Sequence, residues 1–65
     1  MHNSHGLPHF APGDLVKLED YPEWGLGRVQ SAHGSRLTIS FENVGKQSIN
    51  SDVAHLTSVK INQEN

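Results

Sequence analysis

Cysteine is absent from the 65 residues, so neither a disulfide framework nor a thiolate zinc centre can hold the chain together. Long apolar runs are absent too. Nothing approaches the ~20 residues of a membrane-spanning helix. The opening residues, rich in histidine, contain no apolar core of a secretory signal. These three absences predict a cytoplasmic location. Positive charge is scarce: Lys plus Arg is 5 against 7 for Asp plus Glu, a net charge of −2. That balance argues against a nucleic-acid binder, which normally carries a basic footprint. Apolar residues make up 34% and charged residues 18% of the chain, too apolar and too weakly charged for wholesale disorder. The length permits one small domain, whose core supplies no more than ~3–5 kcal/mol. An enclosed active site has little room here, so composition points to a binding module rather than an enzyme.

What is present has a period of two. Leu37, Ile39 and Phe41 alternate with Thr38 and Ser40, the pattern of a half-buried strand. Val16 and Leu18 mark a first strand over Leu15–Glu19. Gly27, Val29 and Ser31 share one parity in a second, over Leu26–Ala32. Gln47 and Ile49 mark a fourth, and Leu56–Lys60 a fifth. Turn chemistry separates them: His33-Gly34 between the second and third, and Asn43-Val44-Gly45 between the third and fourth. Asn50-Ser51-Asp52 precedes the fifth, where Ser51 or Asp52 is expected to cap a single 3₁₀ turn. Residues 1–9 read as a flexible tail, 10–60 as the folded domain and 61–65 as a fraying end. Five short strands around one set of apolar residues predict a small five-stranded antiparallel barrel. Its expected core is Val16, Leu18, Val29, Leu37, Ile39, Phe41, Ile49, Val53 and Leu56.

The densest motif runs from Phe10 to Val29. Phe10-Ala11-Pro12-Gly13-Asp14-Leu15-Val16 turns the chain into the first strand. Pro22-Glu23-Trp24-Gly25-Leu26-Gly27-Arg28-Val29 leads into the second, where Gly25 and Gly27 permit a sharp kink or bulge. With Ile39, Phe41, Gly45 and Lys46, this pattern resembles the bacterial Tudor-like module. That module forms the C-terminal domain of UvrD/PcrA-type repair helicases and also occurs as small stand-alone uncharacterised proteins. More distantly it is similar to the RNA-polymerase-interaction domain of CarD-type regulators and transcription-repair coupling factors. The resemblance covers about Phe10 to Val59. It implies an SH3-like (Tudor-like) barrel that docks on RNA polymerase or a DNA-repair protein, with no catalysis. The 65 residues hold no helicase motor, so docking is expected without unwinding.

Several features have a plainer reading beside the functional one. Gly13-Asp14 reads as a structural turn. Gly25 and Gly27 lack the third glycine and following helix of a dinucleotide site. No serine sits in a nucleophile elbow, and nothing pairs the carboxylates for acid–base work. His2, His5 and His9 crowd the tail while His33 and His55 stand apart, a set suited to adventitious nickel or copper at most; no metal or cofactor is expected. Tyr21 and Trp24 are distinctive, because the loop between the first two strands is the connection with two large aromatics. Trp24 is either a plug over a barrel end or an exposed docking anchor. Tyr21, Trp24, Arg28, Lys46 and Gln47 are the expected partner-binding residues, on a monomer that recognises a protein segment through a strand edge or groove. The alternative is a small RNA- or DNA-binding SH3-like barrel using Lys17, Arg28, Arg36 and Lys46.

Overall fold

The computed structural model describes residues 10–59. The tail expected over 1–9 and the fraying end expected over 61–65 lie outside the described residues. Five antiparallel strands form one sheet: β1 (Leu15–Leu18), β2 (Leu26–His33), β3 (Arg36–Phe41), β4 (Gly45–Asn50) and β5 (Leu56–Ser58). Their order is β4-β3-β2-β1-β5. Each strand therefore lies beside its predecessor until β5, which returns to pair with β1. β4 and β5 are the two edges and are not hydrogen-bonded to each other. The all-β, five-stranded antiparallel expectation agrees with this sheet.

The turns follow local chemistry. Pro12 and Gly13 sit at the central positions of a turn with φ +97° at Gly13, as type II requires. The Asp14 N–H donates to Ala11 O at 3.0 Å, and the Asp14 carboxylate accepts from the Ala11 N–H at 2.9 Å. Gly13-Asp14 is thus the structural turn its sequence suggests. β2 and β3 are joined by Gly34-Ser35, where the positive φ at the first loop residue alone is the sign pattern of a type II′ hairpin.

One 3₁₀ turn is present among the described residues, at Pro22–Trp24, between β1 and β2 and not before β5 as expected. Pro22 at its start has its φ preset and lacks an N–H that would go unused there. Before β5 a different turn forms. The Asn50 side chain accepts the Asp52 N–H at 2.8 Å, and the Val53 and Ala54 N–H groups both reach Asn50 O. Asn50, rather than Ser51 or Asp52, is the capping residue.

Val16, Leu18, Val29, Leu37, Ile39, Phe41 and Ile49 form the buried core, with Phe10, Trp24, Ala32, Ala54 and Leu56 partly buried against it. Val53 does not belong to it. It is 73% exposed, carried outward on the Asn50-capped turn. A second correction concerns β2. Val29 pairs with Ile39, but the next pair is Ser31 with Thr38, so Gln30 is bulged. A bulge inserts one unpaired residue and inverts the alternation beyond it. Ser31 accordingly leaves the inner face, and Ala32, opposite Leu37, takes its place. The bulge falls at Gln30, not at Gly25 or Gly27.

Candidate functional site

Three aromatic rings form a series from solvent to core. Tyr21 is 48% exposed and stacks on Trp24 with centroids 4.8 Å apart and planes 16° from parallel. Trp24 in turn meets Phe41 edge-on, at 5.2 Å and 68°. Both geometries are favoured by the ring quadrupoles. Trp24 is half-buried against the core, so the plug and the anchor are two sides of one residue: its ring seats on Phe41 and supports Tyr21 above it.

The loop that carries these rings is fastened to the β3–β4 turn by four hydrogen bonds. Asn43 donates its backbone N–H to Trp24 O at 3.1 Å and its side-chain amide to Glu23 O at 2.8 Å. The Glu42 N–H donates to Leu26 O at 2.9 Å, and Glu42 Oε1 accepts the Leu26 N–H at 3.0 Å. Gly25 lies inside this junction with φ +81°, and a Cβ there would sit 2.9 Å from Glu42 Oε1. Gly27 is close-packed for a different reason: a Cβ would lie 2.7 Å from both Ile39 Cγ2 and Phe41 Cε1. The missing side chain of Gly27 is the space in which the Phe41 ring lies.

The five expected partner-binding residues occupy three places. Tyr21 and Trp24 are together at the 3₁₀ turn. Arg28 and Lys46 share the outer face, each opposite Ser40 of β3. Gln47 is opposite Ile39, hence on the inner face, where it is half-buried and donates its amide to Val44 O at 3.1 Å. Lys46 and Gln47, grouped in sequence, point to opposite sides. Sequence reasoning missed Glu42 and Asn43 as the clamp on the aromatic loop. They lie 16 to 20 residues from the groups they bind, and no local pattern signals a contact across that distance.

Other polar groups are arranged for structure. Glu19 accepts from the Thr57 hydroxyl, bracing β1 against β5, and His55 Nδ1 lies 3.4 Å from Asp20 Oδ1. Among the described residues no three His, Asp or Glu side chains converge as metal ligands; His2, His5 and His9 lie outside them. No helix among the described residues is long and apolar enough to cross a membrane.

The chain belongs to the family of proteins of unknown function DUF3553, whose model matches residues 10–59. No curated protein and no solved structure matches it.

Proposed function

We propose that this chain is a non-catalytic protein-interaction module: an SH3-like (Tudor-like) barrel, open between β4 and β5, that docks on RNA polymerase or a DNA-repair protein. Burial supports the barrel reading. Val16 and Ile39 are wholly inaccessible although no second layer covers the sheet among the described residues, and a sheet that curls over its own inner face accounts for that. The observation that carries the docking reading is Tyr21, an exposed ring held on Trp24 and Phe41 in a loop with four hydrogen bonds to the β3–β4 turn. A rigidly supported aromatic loses little freedom on binding, and such residues dominate interface energies. The β4 edge begins at the same turn that clamps this loop. A partner segment added to β4 by backbone pairing would reach the aromatic pair at its end. The reading takes the molecule as a cytoplasmic monomer.

The test is a titration of the labelled chain with purified bacterial RNA polymerase core enzyme. Binding is expected, with Tyr21→Ala weakening it about 30-fold, the equivalent of ~2 kcal/mol, at an unchanged melting temperature. Trp24→Ala is expected to lower the melting temperature as well. Absence of binding by the wild-type chain rejects the polymerase as partner, and undiminished binding by Tyr21→Ala rejects the aromatic site.

A further inference from the structure

We propose that the outer face of the sheet binds the phosphate backbone of duplex DNA. Net charge hides a segregation that the fold creates. Every Lys and Arg among the described residues stands on a strand: Lys17 on β1, Arg28 on β2, Arg36 on β3 and Lys46 on β4. Every described carboxylate lies off the strands: Asp14, Glu19, Asp20, Glu23, Glu42 and Asp52. The register then puts all four cations on the same side. Leu15, Arg28, Ser40 and Lys46 form one cross-strand row. Lys17 opposes Leu26 in the next row. Arg36, four residues along β3 from Ser40 and of the same parity, opposes His33 and Asn50.

The cations are exposed, and none makes an ion pair or a side-chain hydrogen bond with another described residue. Between Arg36 and the Arg28–Lys46 row lie three hydroxyls in register, Ser31, Thr38 and Ser48, with the bulged Gln30 beside them. Arg, Lys, Ser and Thr are the side chains that contact phosphate and sugar oxygens. Two shallow concavities open on this face. One, of about 330 Å³, is lined by Arg28, Gln30 and Ser40 together with Leu15, Leu26 and Glu42, and the other, of about 260 Å³, includes Arg36, Ser48 and Asn50.

Charge and shape select the occupant. Two strand spacings separate Arg28 from Lys46, about 10 Å, and four residues along β3 span about 13 Å. The second distance is about four base-pair rises of 3.4 Å along a duplex axis. No described Phe, Tyr or Trp stands on this face to stack an unpaired base: Phe41 is buried, Phe10 packs against the core, and Tyr21 and Trp24 belong to the 3₁₀ turn. A backbone held by charge and hydroxyls, without base contacts, suits a duplex rather than a single strand. Two carboxylates border the face. Glu42 at one end is engaged by the Leu26 N–H, and Glu19 at the β1–β5 corner by the Thr57 hydroxyl.

Anisotropy of a fluorescent 20-base-pair duplex titrated with the full chain tests this at several salt concentrations. Three to four phosphate contacts predict a slope of log K against log salt of about −2.7 to −3.6. Affinity should then fall roughly 40- to 150-fold from 50 to 200 mM salt. Arg28→Ser with Lys46→Ser should leave the thermal melt unchanged and make the slope shallower by about 1.8. Absence of duplex binding at 50 mM salt overturns the proposal, as does a double variant that binds and responds to salt like the wild type. Two further arms decide the occupant. Tighter binding of a single strand of the same length, or of polyglutamate, overturns the duplex assignment, and weaker binding of both supports it. Tyr21→Ala should bind the duplex like the wild type, so the outcome is independent of the aromatic docking site.

Discussion

The two faces of the sheet are built from alternate residues of the same strands, yet one is dominated by buried apolar side chains and the other by cations and hydroxyls. The inner face carries Val16, Val29, Leu37, Ile39, Phe41 and Ile49, all buried. The outer face carries Lys17, Arg28, Arg36 and Lys46 among serines and threonines, with Leu15 and Leu26 at the β1–β2 pair. In so small a domain the stability has to come from one face, which leaves the other free to be specialised as a surface. Whole-chain averages miss this. The described residues sum to a charge of −2 as four cations on strands and six carboxylates off them, and the two populations do not mix on the outer face except at its margins.

Substitutions on the inner face should show the asymmetry most strongly. Phe41→Ala removes the ring against which Trp24 is seated and which fills the space over Gly27. The expected cost is about 3–5 kcal/mol, comparable to the whole stability of such a domain, so the variant should be largely unfolded in a urea titration at room temperature. A cooperative transition shifted by less than about 1 kcal/mol would mean the inner face does not carry the stability.

The Gln30 bulge offers a sharper version of the comparison, because adjacent residues lie on opposite faces. Ala32→Asp places a carboxylate against Leu37 and the core, an expected loss of about 2–3 kcal/mol. Ser31→Asp places the same group beside Thr38 on the cationic face, with an expected change within about 0.5 kcal/mol. The reverse order, with Ser31→Asp the more costly, would mean that the alternation runs unbroken through Gln30. A somewhat smaller effect is expected at Gly27. Gly27→Ala drives a methyl into Ile39 and Phe41, costing about 1–3 kcal/mol by overpacking. Combined with Phe41→Leu, which vacates part of that space, the cost should be less than the sum of the two single changes.

How much of this is legible in the sequence depends on the range of the interaction that decides it. The strands of Leu37–Phe41 and Val16–Leu18 show in a period of two because alternation is a local property of each strand. The turns at Pro12-Gly13 and Gly34 show because φ preferences are local as well. The bulge at Gln30 does not show. Nothing in Val29-Gln30-Ser31-Ala32 marks which residue goes unpaired, and the choice is made by matching Ala32 rather than Ser31 to Leu37 across the hairpin. The 3₁₀ turn expected before β5 forms at Pro22–Trp24 instead, because Pro22 suits the start of such a turn while the Asn50 side chain and carbonyl take the N–H groups of Asp52, Val53 and Ala54. At the candidate site, the aromatic pair was visible as residue types in a loop. Its clamp by Glu42 and Asn43 was not, since that contact exists only once β2 and β3 have paired. The common face of Lys17, Arg28, Arg36 and Lys46 is another consequence of register, spread over four strands with no trace in composition.

Val53 gives the smallest expected effect and a clean test of where the inner face ends. As a β-branched apolar residue between Ala54 and an Asx turn, it reads from sequence as a core residue at the entry to β5. In the structure the Asn50 side chain and carbonyl gather the N–H groups of Asp52, Val53 and Ala54, and this leaves Ala54 turned toward the core and Val53 in solvent. The turn can bring one of two neighbours inward, and it brings the smaller. Val53→Ser should therefore change stability by no more than about 0.5 kcal/mol. Replacing a truly buried valine with serine would remove its methyl groups and bury a hydroxyl, at a cost of 2 kcal/mol or more by the usual estimate for core truncation, roughly. The two outcomes are far enough apart for a single pair of urea titrations to separate them. A loss on the larger scale would fold the turn under the sheet, enlarge the inner face by one residue, and require Ala54 to move outward in exchange.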